Sequence, residues 1–98
     1  MRYNHIRTIA TDWAIIDYYE IPKQLKFTAT WSYGGGWLDN IPKTEVKQTA
    51  HYAKVVRRRS DSSFFTFDIL DEEWITIRGK YCKGIYNYLK IYNDLVGG

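Results

Sequence analysis

Apolar and polar residues alternate strictly between Leu25 and Tyr33. Because successive side chains of a strand point to opposite faces, the polar residues of this stretch share one face. The other face is shared by Leu25, Phe27, Ala29, Trp31 and Tyr33. One buried face and one solvated face are typical of an antiparallel sheet, so the pattern predicts a half-buried strand over residues 24–33.

A hairpin is predicted in the middle of the chain. The run Phe64–Leu70 has strong strand propensity and follows a polar turn cluster at residues 60–63. Residues 50–59 precede that turn, so we expect the two segments to pair. The sequence does not decide whether residues 44–49 form a helix or a strand, because apolar residues from Val46 onward recur at helical spacing.

Two shorter strands are also expected. Residues 74–78 place Ile75 and Ile77 on one face of a strand. After the three glycines at residues 34–36, which allow the backbone to turn, residues 37–41 are predicted to form a short return strand.

The clearest helical pattern lies over residues 80–96. An apolar stripe recurs at steps of three and four: Tyr81, Ile85, Leu89, Tyr92 and Val96. The opposite stripe is polar: Lys80, Lys83, Asn87, Lys90 and Asp94. This pattern predicts an amphipathic helix that packs its apolar stripe on the sheet.

Residues 12–20 favour a short helix, with Thr11 or Asp12 as its N-cap and Pro22 just beyond its end. The same residues also suit a strand, because several are β-branched or aromatic. The elements together predict an α+β fold: a small antiparallel β-sheet of three to five strands in a meander, packed against a C-terminal helix. At 98 residues the chain is predicted to form a single compact domain over residues 1–98.

Composition bears on the partners of the chain. Nine Tyr and four Trp exceed what a small core needs, so some rings are expected at the surface, where they favour recognition. The formal net charge of +3 permits binding to nucleic acid or to an acidic protein and demands neither.

No set of residues nominates a catalytic or metal site. Cys82 is the only cysteine, and a lone cysteine is usually a small buried residue. His5 and His51 have no second ligand at metal-binding spacing. We therefore expect a protein that is not an enzyme and has no cofactor or metal. Without an apolar leader or a membrane-length segment, we expect it in the cytoplasm.

Two basic features are candidate binding surfaces. Three consecutive arginines enter the predicted hairpin turn: Arg57, Arg58 and Arg59. Their forked donors suit phosphates and carboxylates alike. Three lysines follow the polar stripe of the C-terminal helix: Lys80, Lys83 and Lys90. Charge runs of this kind are also typical of solvated edges that block aggregation.

Exposed rings are the third candidate feature. Trp37 lies beside the glycine run, where little local packing holds it, and Trp31 and Tyr33 lie at the end of the predicted first strand. If the helix covers one sheet face, at least one tryptophan stays partly exposed, as an interface anchor does.

Two functions agree with these features. We prefer a small intracellular inhibitor of the phage or mobile-element type, whose rings dock on a host or defence protein while its arginines meet acidic residues there. The alternative is a non-specific nucleic-acid-binding domain that uses the basic hairpin tip and the lysine stripe. The low net charge and the lack of a nucleic-acid-recognition motif favour the first.

Overall fold

The computed structural model describes residues 3–33, 44–77 and 84–97. The elements within these ranges are β1 (Asn4–Ala10), β2 (Ala14–Glu20), a 3-10 turn (Lys23–Leu25), β3 (Thr28–Tyr33), β4 (Thr44–Thr49), β5 (Tyr52–Arg58), β6 (Phe64–Leu70), β7 (Thr76–Ile77) and α1 (Ile85–Leu95). An antiparallel sheet with a C-terminal helix confirms the predicted α+β class.

Five strands form one antiparallel sheet in the order β1-β2-β5-β6-β7, and β3 pairs with β4 in a second sheet. The large sheet is not a plain meander, because the β3–β4 hairpin is inserted between the neighbouring strands β2 and β5. His51 joins the sheets at this point. Its backbone N–H donates to the Leu70 carbonyl, and its carbonyl accepts from the N–H of Ile21, both at 2.9 Å.

The helix predicted over residues 12–20 is wrong, because Ala14–Glu20 form strand β2. β2 is paired along both edges, with β1 and with β5, and such tertiary pairing outweighs a weak local helical spacing. Thr11 does not cap a helix. Its hydroxyl accepts a hydrogen bond from the Ala14 N–H at 3.0 Å and closes the β1–β2 turn.

The first predicted strand begins later than expected. Lys23–Leu25 form one turn of 3-10 helix after Pro22, and β3 starts at Thr28. The predicted alternation holds for the odd-numbered side chains that are described, all of them buried: Leu25, Phe27 and Ala29. The side chains of Trp31 and Tyr33 lie outside the described residues, as does the return strand predicted over residues 37–41.

The central hairpin is confirmed as β5 and β6, and residues 44–49 form strand β4. The last predicted strand is shorter than expected, since β7 contains only Thr76 and Ile77. Ile75 is 43% exposed whereas Ile77 is buried, so the two isoleucines do not share a buried face. Ile75 precedes β7 and belongs to the turn before it, where its N–H donates to Asp71 Oδ1 at 3.0 Å.

The C-terminal helix is confirmed over Ile85–Leu95, and the predicted residues 80–83 lie outside the described part of the chain. The predicted apolar stripe is only partly the one that packs on the core. Ile91 is fully buried, and the side chains packed against the core include two from the predicted stripe, Tyr92 and Val96, together with Tyr88 and Leu95. Ile85 and Leu89, predicted to be buried, are 43% and 52% exposed.

One core connects both sheets and the helix. Its buried members are Ile21, Leu25, Phe27, Ala29, Ala50, Ala53, Val55, Phe67, Ile69, Ile77 and Ile91. Ala53, Val55, Phe67 and Ile69 alternate along β5 and β6, so α1 covers one face of the large sheet. The opposite face of the large sheet is not covered by α1, and the turns at the end of the sheet carry exposed side chains.

Candidate binding surfaces

The β1–β2 turn and the β5–β6 turn lie side by side at one end of the large sheet. The backbone N–H of Arg59 donates to the Trp13 carbonyl at 2.9 Å, and Arg59 Nη1 donates to the Thr11 carbonyl at 3.3 Å. Ala14 pairs with Arg58 in the adjoining register. These bonds hold the two turns in one arrangement, so their side chains form a fixed surface.

Two aromatic rings project from this end of the sheet. Trp13 is 55% exposed and Phe65 is 50% exposed. The rings meet edge to face, with centroids 5.1 Å apart and planes at 76°. Phe65 is the extra residue where the pairing of β5 with β6 shifts by one, and a bulge of this kind redirects a side chain.

The structure separates the three arginines. Arg57 is half-buried, and its Nη2 donates to the Leu95 carbonyl at 3.2 Å, at the C-terminal end of α1. Arg58 and Arg59 are exposed beside Trp13. Alternation along β5 separates Arg57 from Arg58, and Arg59 lies beyond the end of the strand, in the turn.

Acidic side chains accompany the exposed arginines. An open depression of about 320 Å³ lies between Asp12, Trp13, Arg58 and Ser60. In the adjacent turn, hydrogen bonds from Ser63 and the charge of Arg58 lower the pKa of the Asp61 carboxyl, which therefore stays ionised. We call the set Asp12, Trp13, Arg58, Arg59 and Phe65 the loop-end surface. Its charges are mixed in sign.

The other predicted binding residues are not brought to this surface by any described contact. Lys90 is exposed on α1 and forms an ion pair with Asp94 at 3.5 Å. Trp31 and Tyr33 lie in β3, in the small sheet. Trp37, Lys80 and Lys83 lie outside the described residues.

A second cluster lies on the face of the large sheet opposite α1. The guanidinium carbon of Arg7 lies 4.7 Å from the centroid of the Tyr18 ring and 5.3 Å from that of Trp74. Trp74 stacks on Tyr52 at 4.6 Å and meets Tyr18 edge-on at 4.9 Å. We call these four residues the arginine–ring cluster. Cation–π contact holds the guanidinium plane in position.

The turn between β6 and β7 places Trp74 over this cluster. Asp71 Oδ1 accepts backbone N–H bonds from Glu73 at 2.9 Å and from Ile75 at 3.0 Å. Trp74 itself takes a left-handed φ of 62°, which is rare for a bulky residue. The bonds to Asp71 and the ring contacts offset the strain of that conformation, roughly 1–3 kcal/mol for such residues.

His5, Thr8 and Asp17 form a polar group that resembles a catalytic triad in composition but not in geometry. His5 Nε2 lies 3.0 Å from Asp17 Oδ1 and 2.8 Å from Thr8 Oγ1, and the Thr8 hydroxyl donates to Asp17 at 2.5 Å. A triad requires the carboxylate and the hydroxyl on different ring nitrogens. Here both contact Nε2, so the imidazole cannot take the hydroxyl proton while it donates to the carboxylate.

Across the described ranges, no three His, Cys, Asp or Glu side chains come together in a way that could hold a metal ion. Comparison with known protein families, with characterised proteins and with solved structures finds no match to this chain. Among the described residues, no helical segment has the length and apolarity that crossing a bilayer requires.

Sequence reasoning did not nominate Trp13, Phe65 or the arginine–ring cluster. A partial signal exists for Phe65, because Phe64 and Phe65 are adjacent apolar residues and precede the alternation that runs from Thr66 to Ile69. Trp13 was assigned to a helix that does not form, which obscured its place in a turn. The arginine–ring cluster joins residues from β1, β2, β5 and the β6–β7 turn, so no local pattern could indicate it.

Proposed function

We propose that this chain is a non-catalytic binding protein that docks on another protein through the loop-end surface and blocks access to it. The observation that carries the proposal is the pair of half-exposed rings, Trp13 and Phe65, beside two exposed arginines. Tryptophan and arginine are among the residues most enriched at the energetic centres of protein interfaces. The hydrogen bonds between the two turns support tight docking, because little conformational entropy is lost when turns that are already ordered bind.

The mixed charges of this surface support a protein partner over a nucleic acid. Arg58 and Arg59 are offset by Asp12 within this surface and by Asp61 in the adjacent turn, whereas a surface that binds a polyanion is predominantly basic. A protein partner with an apolar side chain at its centre and acidic residues around it fits the rings and the arginines together. A host or defence enzyme inhibited by a phage or mobile-element product remains our preferred example of such a partner.

The test compares two pairs of exposed apolar residues. The tagged wild-type chain is used to capture proteins from nuclease-treated lysate of its source cells, and affinity for the recovered protein is then measured with purified components. Substituting Trp13→Ser and Phe65→Ser together should weaken binding by about 30-fold or more, as truncation of interface anchors does.

The matched control carries Ile85→Ser and Leu89→Ser, which remove similarly exposed apolar side chains from α1. It should bind as the wild type does. Failure to recover a stoichiometric partner, or an equal loss in the control, would contradict the proposal.

The nucleic-acid alternative is favoured by one observation, the open Trp13 ring next to Arg58 and Arg59, since bases stack on exposed rings. If it holds, affinity for a single-stranded oligonucleotide falls with salt at a log–log slope of about −1.4 for two phosphate contacts. Substituting both arginines with glutamine then abolishes the slope. Our proposal expects no retention of the oligonucleotide at physiological salt.

A further inference from the structure

Strand β1 has one open edge. It pairs with β2 on one side, no described strand pairs with its other side, and all seven of its residues are exposed. Strand β7, at the opposite end of the sheet, contains only two residues. The row of backbone N–H and C=O groups along β1 is therefore the longest unpaired edge that the described part of the large sheet presents.

Only half of β1 is protected against pairing. A register shift between His5 and Arg7 leaves Ile6 as a bulge, and bulges of this kind discourage strand addition. From Arg7 to Ala10 the pairing with β2 is regular, with neither proline nor lysine on the edge. Two of these four residues direct their backbone groups outward, which offers about four hydrogen bonds to an added strand.

Arg7 supplies the charge of this edge. Its guanidinium is held over Tyr18 and Trp74, and no described carboxylate pairs with it. The acidic groups on this face have other partners, because Asp68 pairs with Lys54 at 3.6 Å and Glu20 accepts from Asn4 at 3.4 Å. The forked donors of Arg7 thus remain available in a fixed orientation, which suits a carboxylate.

We propose that the open edge of β1 and the arginine–ring cluster together bind an extended acidic segment of another protein by strand addition. The segment pairs its backbone with Arg7–Ala10, and a glutamate side chain on the face opposite α1 reaches the Arg7 guanidinium. Glutamate fits better than aspartate, because the guanidinium lies over Tyr18, one strand inward from the edge.

Charge argues against a second copy of this chain as the occupant. β1 contains no aspartate or glutamate, so a β1–β1 pair brings no carboxylate to Arg7, and each copy carries a net charge of +3. A nucleic acid could meet the guanidinium but lacks the alternating donors and acceptors of a strand. This surface shares no residue with the loop-end surface, so the inference goes beyond the proposed function and does not depend on it.

The test titrates the ¹⁵N-labelled full chain with a blocked seven-residue peptide that alternates threonine and valine around a central glutamate. Shifts should concentrate on the amides of Arg7–Ala10 and on the Trp74 indole. Replacing the peptide glutamate with glutamine should weaken binding by about tenfold, as loss of a charge-assisted bond does. Methylating alternate peptide amides should abolish binding.

Two protein variants complete the test. Arg7→Gln should lose about tenfold in affinity for the glutamate peptide, whereas Arg58→Gln, in the loop-end surface, should bind it unchanged. Retained amide dispersion shows that each variant is folded. The proposal is overturned if the β1 amides do not shift or if the glutamate and glutamine peptides bind equally. It is also overturned if the free chain sediments as a dimer in which the Arg7–Ala10 amides are already protected from hydrogen exchange.

Discussion

At the scale of single residues, position 84 requires glycine because no space is left there for a side chain. It precedes α1 with an ordinary φ of −91°, which any residue can adopt. A Cβ at this position would overlap the Cβ, Cγ and Cδ2 atoms of Phe27. Phe27 is buried, and its carbonyl accepts from the Ala50 N–H at 2.8 Å, so its position is fixed. Gly84 lets the helix lie directly on this ring.

We expect Gly84→Ala to lower the free energy of unfolding by about 1–3 kcal/mol, the usual range for overpacking a core. Urea denaturation measures the change. Gly97→Ala is the matched control, because its Cβ would meet Asn93 Oδ1 at 3.2 Å, at the exposed end of the helix. Equal losses in the two variants would show that the contact with Phe27 is not the cause.

Tyr3 links the start of the chain to the last turn of α1. Its hydroxyl donates to Asp94 Oδ2 at 2.7 Å. Burial, and then the hydrogen bond and charge of Asp94, raise the pKa of Tyr3 well above its ordinary value of about 10. The folded chain therefore holds this proton more tightly than the unfolded chain. The resulting stabilisation is complete below the ordinary pKa and is lost as the pH rises above it.

The free energy of unfolding should accordingly fall above about pH 10, and Tyr3→Phe should make that fall shallower. Denaturation at a series of alkaline pH values measures both slopes. Tyr86→Phe removes the hydroxyl of a residue that is 78% exposed and should leave the wild-type slope unchanged. If Tyr3→Phe leaves the pH dependence of the free energy of unfolding unchanged, the loss of stability at alkaline pH comes from other groups.

At the scale of elements, α1 shows how an amphipathic pattern can fix a helix without fixing its rotation. Apolar residues occupy both the stripe centred on the buried Ile91 and the adjacent predicted stripe, in which Ile85 and Leu89 are exposed while Tyr92 and Val96 pack against the core. Periodicity alone cannot choose between two neighbouring stripes. The contact of Gly84 with Phe27 selects the first, and Arg57, which donates to the Leu95 carbonyl, holds the other end.

Two leucine-sized side chains on α1 test this rotation. Ile91→Ala should cost about 2–5 kcal/mol, because Ile91 is fully buried. Leu89→Ala should change stability by no more than about 0.5 kcal/mol, since Leu89 is 52% exposed. Thermal or urea unfolding of both variants gives the comparison. If Leu89→Ala lowers the free energy of unfolding more than Ile91→Ala does, the helix buries the stripe predicted from periodicity instead.

The sequence pattern predicted an element correctly where the segments that pair or pack together are near in sequence. It failed where those segments are distant in sequence. The hairpin of β5 and β6 and the buried positions from Leu25 to Ala29 follow from alternation and turn residues. The sequence could not decide between helix and strand for β2, because its place inside the sheet depends on pairing with β5, which is distant in sequence. The same limit explains the candidate sites: Arg58 and Arg59 were nominated, whereas Trp13 and Arg7 depend on distant neighbours.

At the scale of the whole molecule, the inserted β3–β4 segment is part of the core. Residues between β2 and β5 supply five of the eleven buried members of the core cluster: Ile21, Leu25, Phe27, Ala29 and Ala50. We therefore expect the large sheet to lack sufficient buried apolar surface by itself, although its own strands are consecutive neighbours once the insertion is left out.

Excising residues 21–51 tests this dependence. Glu20 and Tyr52 are paired neighbours, so an Asn-Gly turn can join them directly. We expect the shortened chain to lose its cooperative thermal transition and its near-ultraviolet dichroism, because almost half of the core cluster is removed. A sharp transition in calorimetry would show instead that the five-stranded sheet and α1 fold alone.

The insertion also determines when β2 finds its second partner during synthesis. The β1–β2 hairpin is made first, yet the inner edge of β2 must wait until β5, about 40 residues later, leaves the ribosome. At common elongation rates that delay is roughly 2–8 s. A nascent chain at this stage carries two open strand edges, one of them destined for the centre of the sheet. Translational pauses before Tyr52 would prolong that exposure and, with it, the period in which chaperones are needed.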